Sequence, residues 1–145
     1  MKIVHDLTIT RDREIHTINS SQTVYEALLL LAEKNVGALP VLEEKKMVGI
    51  ISERDYARKV ILKGASSLDT PVKKIMTQGI ITVDPQTPLE KCLQLMIDRH
   101  IRHLPIMEKG EMVDFISIGD LVKVIMAKKD RLIIELSNDK NGVSI

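Results

Sequence analysis

Apolar residues recur at helical spacing in two places, Val24, Ala27, Leu28 and Leu31, then Leu89, Cys92, Leu93 and Met96. Each set predicts an amphipathic helix with one buried face. Each helix follows a short strand-like run, "EIHTI" at 14–18 and "GIITV" at 79–83, and a polar turn. After each helix come two β-type runs joined by a charged turn. "ALPVLE" meets "MVGIIS" across "EKK", and "HLPIME" meets "MVDFIS" across "KGE", as hairpins would. "ERDYARKVIL" and "IGDLVKVIMA" predict a closing helix for each set.

The two sets are one pattern repeated. Offset by 65 residues and without a gap, 17–61 overlies 82–126. Identical pairs include Leu28/Leu93, Leu30/Leu95, Leu39/Leu104, Pro40/Pro105, Glu43/Glu108, Met47/Met112, Val48/Val113, Ile51/Ile116, Ser52/Ser117 and Asp55/Asp120. The pattern predicts an α+β fold made of tandem β-α-β-β-α units. The expected divisions are a first unit with its N-terminal segment over 1–62, a linker over 63–76, a second unit over 77–127 and a C-terminal extension over 128–145. The Gly, Ser and Pro of "KGASSLDTPVKKIM" mark the linker, which ends in a short helical turn. "KKDRLIIEL" is read as prolonging the last helix, and "SNDKNGVSI" as a polar, frayed tail.

Composition narrows the chemistry. Aromatic residues are 2% of the chain against 44% apolar, so the core is aliphatic and base-stacking platforms are nearly excluded. A formal charge of +1 supplies no general field for a nucleic acid, which would need a local patch of arginines. Cys92 is the single cysteine, so there is no internal disulfide and no multi-cysteine zinc site. On the apolar helical stripe it reads as a small core residue, not a nucleophile. The N-terminal residues hold no apolar secretion signal, and "ALLLLA" at 27–32 is too short to cross a bilayer. A cytoplasmic protein without a membrane partner is expected.

These paired features resemble a cystathionine-β-synthase (CBS) domain pair: the duplicated unit, the "GALPV" and "RHLPI" strands, and above all "GIISERD" and "DFISIGD". The resemblance covers roughly 14–127 and implies two CBS-type units about a pseudo-twofold axis, with clefts that in many members bind adenine nucleotides. One departure is Asp114, which stands where the first unit has Gly49 and is expected to alter the second hairpin's close packing.

Taken alone, Ser52 with Asp55, and Ser117 with Asp120, are capping boxes at the start of a helix. The resemblance implies more: the aspartates hold ribose hydroxyls and the serines lie near phosphate. A helix start also offers free N–H donors to an anion, and Gly119 leaves room for a ligand where the first unit carries Arg54. Arg54 and Arg58, four apart, suit a phosphate-facing pair or a solvated helix face. Thr17, Thr82 and Pro105 complete the nucleotide-contacting set that goes with the resemblance.

"HIRHLPI", 100–106, is the remaining candidate. His100 and His103 lack the spacing of a helical metal pair, and no third ligand motif accompanies them. His100 instead suits a helix C-terminus. Strand alternation puts Arg102 with Leu104 and Ile106, and His103 with Pro105 and Met107. Only one of Arg102 and His103 then faces a phosphate, unless one lies at the strand's irregular start. Their counterparts are Gly37 and Ala38, so the two clefts are chemically unequal.

No catalytic elbow, Walker loop or dinucleotide fingerprint occurs, so neither an enzyme nor a metal site is expected. The expected function is a regulatory module that senses an adenine-containing ligand and passes its state to an unidentified partner. AMP, ADP or ATP come first as ligands, with NAD and S-adenosylmethionine possible. The alternative is an interaction scaffold with no nucleotide. Tyr25, Leu29 and Ala32 form a second apolar stripe on the first helix, which predicts a homodimer.

Overall fold

The computed structural model describes residues 2–10 and 14–127. Its elements are α1 (Val4–Thr10), β1 (Ile18–Asn19), α2 (Val24–Lys34), β2 (Ala38–Glu43), β3 (Lys46–Ser52), α3 (Glu53–Tyr56), α4 (Val72–Ile75), α5 (Leu89–Arg99), β4 (His103–Glu108) and β5 (Glu111–Ser117). A π-helical turn, Ala57–Ile61, continues α3, and residues 118–127 are helical (α6). This is the tandem α+β arrangement expected from the repeat. The proposed extension over 128–145 lies outside the described residues.

Local chemistry sets the helix ends. Thr23 caps α2 in a capping box with Glu26, and Asn35 closes it in the left-handed conformation at φ 53°. The Gln22 side-chain amide, then the Thr23 backbone N–H, holds the Glu26 carboxyl below its ordinary range. His100 ends α5 as Asn35 ends α2, also left-handed, at φ 55°. β2 pairs antiparallel with β3, and β4 with β5, each with an irregularity near the same repeat position.

The first strands are shorter than the sequence suggests. Only Ile18–Asn19 joins the first sheet, parallel to Val41 and Leu42, and only Val83 bridges the second, opposite Ile106. Prolines account for this. Continuing each parallel ladder toward the N-terminus would next require an N–H from Pro40 or Pro105, and proline has none. Residues 14–17 and 79–82 therefore leave the sheets.

Each unit has its own aliphatic core, and each is completed by a segment from outside its β-α-β-β-α stretch. Val24, Ala27, Leu31, Leu39, Val41 and Ile51 pack with Val72, Ile75 and Met76 from the α4 region. Leu89, Cys92, Met96, Leu104, Ile106 and Ile116 pack with Val4 and Leu7 of α1. Fully burying one such aliphatic side chain contributes about 1.5–3 kcal/mol. The backbone contacts repeat as well: Val72 N–H donates to Gln22 C=O as Val4 N–H donates to Thr87 C=O, both at 2.8 Å. Thus α1, which precedes the first unit in sequence, packs on the second. Cys92 is wholly buried, and burial, then the Asp84 charge, pushes its thiol up to about 11.

The Gly49/Asp114 difference lies where these segments dock. A Cβ on Gly49 would sit 2.8 Å from the Thr77 carbonyl oxygen and 2.9 Å from the Met76 sulfur. Only glycine permits that approach, which the two backbone hydrogen bonds between Ile50 and Thr77 exploit. At Asp114 the second hairpin meets α1 through a side chain: Thr8 Oγ1 donates to its Oδ2 at 3.1 Å, and the Phe115 N–H to its Oδ1 at 2.7 Å.

Candidate ligand-binding site

Where 79–82 leaves the second sheet, a cleft of about 310 Å³ opens between the units. One wall is the first unit's Gly37, Ala38, Ile50, Ser52, Glu53, Arg54 and Asp55. The other is Thr77, Gly79, Ile80 and Ile81 with the turn His100, Ile101, Arg102 and His103. Ala38, Ile50, Ile80, Ile81 and Ile101 supply the apolar part of the lining, and two arginines and two histidines stand against two carboxylates, of which that of Asp55 is buried.

The structure thus gathers Ser52, Arg54, Asp55, Arg102 and His103 around one cavity. Arg102 and His103 share it because β4 begins at His103, which leaves Arg102 in the irregular segment before the strand where alternation does not apply. Arg58 is exposed on the π-helical turn, outside the lining, so the Arg54/Arg58 pair does not converge on the cleft. Thr82 follows the lining segment without joining it, and Pro105 is buried, where it ends the parallel ladder. Thr17, Ser117, Gly119 and Asp120 belong to the repeat-related region and line neither cleft.

The second cleft holds about 190 Å³ and is lined by Glu14, Ile15, His16, Lys34, Val36, Ala38, Leu39 and Phe115. Shifted by the repeat offset, Glu14, Ile15 and His16 match Gly79, Ile80 and Ile81, and Phe115 matches Ile50. It is the first cleft's counterpart, smaller and without the serine and aspartate in its wall. The His103 ring lies nearly parallel to Phe115, 10° from coplanar with centroids 5.3 Å apart. Stacking fixes its plane at the boundary between the clefts.

Asp55 is buried and fully engaged. Its Oδ2 accepts the Ser52 N–H and the Ser52 hydroxyl, both at 3.0 Å, while the Asp55 N–H donates back to Ser52 Oγ at 3.1 Å. Its Oδ1 accepts from Thr77 Oγ1 at 3.0 Å and from the Lys59 ammonium at 2.9 Å. The capping box expected from sequence is present, as it is at Ser117 and Asp120. Lys59 and Thr77 are partners that sequence reasoning missed: a lysine on a closing helix reads as solvated, and Thr77 stands at the end of a linker. Gly79 to Ile81 were missed as lining because they read as a strand within the sheet.

The family model of the CBS domain matches residues 4–62 and 72–127. The chain belongs to the CBS-domain family. As a CBS domain pair it is a regulatory kind of module. It is 43% identical over 112 residues to the CBS domain-containing protein CBSX3, mitochondrial, of Arabidopsis thaliana, a match covering 74% of this chain and 54% of that protein. The chain therefore spans about half of that relative's length. A solved CBS-domain protein of Burkholderia ambifaria MC40-6 has 40% identity and a TM-score of 0.84, covering 87% of this chain and 95% of that one. The CBS domain pair of MJ0100, solved with 5′-methylthioadenosine and S-adenosyl-L-methionine, has a TM-score of 0.76 over 88% of this chain and 98% of that one. Its 24% identity makes this a likeness of fold alone.

Proposed function

We propose that this CBS pair binds an adenine nucleotide in the first cleft and presents the resulting arrangement of its two units to a protein partner. The observation that carries this reading is the convergence of Ser52, Arg54 and Asp55 from one unit with Arg102 and His103 from the other. A cleft of about 310 Å³ lies at the small end of ligand pockets, which run from about 300 Å³ upward. Its isoleucine-rich lining suits a base and its two arginines a phosphate. AMP, ADP and ATP lead the candidates, with NAD and S-adenosylmethionine behind them. The MJ0100 complex supports an adenosine-containing ligand for the fold. Because a ligand touching both units binds one relative arrangement better than another, it shifts the population that a partner meets. A cytoplasmic setting is part of the reading, and no described helix is long and apolar enough to cross a membrane.

The test is a thermal-shift series with these five adenosine-containing ligands, since a ligand selective for the folded state raises Tm. Mass spectrometry of anything that copurifies would identify the natural ligand. Asp55→Ala is expected to weaken AMP about ten- to a hundredfold, the equivalent of about 1.5–3 kcal/mol for hydrogen bonds to a charged acceptor. It should also lower Tm, since a lost cap alone costs about 1 kcal/mol. Asp120→Ala is expected to lower Tm with a smaller change in affinity, because Asp120 does not line the cleft. Wild-type affinity in both variants by calorimetry, with only Tm reduced, would leave the aspartates as caps.

The scaffold reading without a nucleotide draws on one observation, the outward apolar face of α2, where Tyr25 is 42% and Leu29 53% exposed. In either reading we propose that this face pairs two protomers. Leu29→Glu is expected to shift a dimer to monomer in light scattering at micromolar concentration, and an unchanged mass would remove α2 from the interface.

A further inference from the structure

We propose that Lys59 sets the affinity of the first cleft by competing with the ligand's ribose hydroxyls for Asp55, and that its displacement loosens the linker. The inference rests on the nucleotide reading of the cleft. An ionised carboxylate offers about four acceptor positions. At Asp55 all four are taken, by the Ser52 N–H, the Ser52 hydroxyl, Thr77 Oγ1 and the Lys59 ammonium. A vicinal diol brings two O–H donors, so a donor already present has to leave before it can bind.

The four donors differ in how easily they leave. The two from Ser52 belong to the capping box and hold the start of α3. Thr77 is anchored by its backbone pair with Ile50, against the glycine-only approach at Gly49. Lys59 has a side chain 43% exposed and stands outside the cleft lining, so its ammonium returns to water at small cost. It is also the donor that reaches elsewhere: the same nitrogen donates to the Ile75 carbonyl at 2.9 Å, at the end of α4. One cation therefore joins the cleft's aspartate to the segment that connects the units. The repeat-related position is Val124, which supplies no ammonium, so this link belongs to the first unit alone. When a diol takes Oδ1, Lys59 loses the carboxylate that immobilises it, and the 72–77 segment loses a side-chain tie. The buried Val72, Ile75 and Met76 keep that segment docked.

The experiment compares AMP with 2′,3′-dideoxy-AMP by calorimetry in the wild type and in Lys59→Met. Removing a cation weakens attraction of the shared phosphate equally for the two probes, so the ratio of their Kd values isolates the diol. The preference for AMP is expected to rise about three- to tenfold in Lys59→Met, the range for a partly exposed, charge-assisted contact. Amides of 72–77 in the nucleotide-free variant are expected to exchange faster than in wild type. An unchanged or reduced preference overturns the competition, and unchanged exchange overturns the tie to the linker. If wild type and variant bind neither probe, the nucleotide reading falls and this inference with it. Should Lys59→Met fail to fold, Lys59→Ala, which likewise has no donor and suits a helical turn, carries the same comparison.

Discussion

Arg102→Ala is expected to weaken AMP by about 1.5–3 kcal/mol, ten- to a hundredfold, while leaving adenosine nearly unchanged. Arg102 is exposed at the cleft rim, and its permanently charged planar fork can meet two phosphate oxygens. His103 lines the same cavity, but its ring is held flat against Phe115, which limits the directions its nitrogens can take. The two contacts differ in their pH dependence. A guanidinium contact is lost equally at pH 6 and pH 8. An imidazole titrates near about 6.5 in model peptides and favours phosphate when protonated, so removing it would weaken AMP more at pH 6 than at pH 8. We expect pH-independent loss for Arg102→Ala and a smaller effect for His103→Ala. Equal losses for AMP and adenosine in both variants would reduce "RHLPI" to a packing element.

Gly49→Ala is expected to destabilise the protein by about 1–3 kcal/mol, a drop of several degrees in Tm. The added carbon would stand 2.8 Å from a backbone oxygen that a rotamer change cannot move aside. Relief requires shifting 76–77 off β3, at the expense of the paired Ile50–Thr77 hydrogen bonds and the Thr77 contact with Asp55. Gly37→Ala is the control. Its added carbon meets the nearest atom, Glu53 Oε1, at an ordinary 3.5 Å, so its stability change should stay within about 0.5 kcal/mol. Chemical denaturation of the two variants provides the comparison, and equal midpoints would show that the linker yields freely at Thr77.

Much of this architecture was legible because the deciding interactions are local or repeated. The periodicity of α2 and α5, the hairpin turns and the two serine–aspartate boxes each span a few residues. The 65-residue offset then supplied a second copy to check each assignment against. What escaped depends on partners distant in the chain. Residues 79–82 have strand-like composition, yet whether they join the sheet is decided by Pro105, whose absent N–H lies on the neighbouring strand. The docking of α1 on the second unit repeats that of α4 on the first at an offset of 68, not 65, and its short apolar pattern gave no warning. Arg102 met the exception allowed to the alternation rule, since it stands just before β4 begins at His103. Lys59 is four residues from Asp55, a spacing open to inspection, but its second partner is a main-chain carbonyl that no side-chain pattern reveals.

The crosswise docking of α1 and α4 also sets an order of assembly as the chain leaves the ribosome. The first core is complete once Met76 has emerged, because its closing segment directly follows it. The second core includes Leu121 and also Val4 and Leu7, which are made far earlier. Those two side chains have nowhere apolar to dock until the second unit arrives, and the hydrogen bond that seats them, Val4 N–H to the Thr87 carbonyl, closes a loop of about 80 residues. Long-range closure of this kind is slow relative to local folding and leaves apolar surface open in the interval. The nascent chain therefore passes through a state in which one half is folded and the residues destined to seal the other half remain open to capture by a chaperone or by a neighbouring chain.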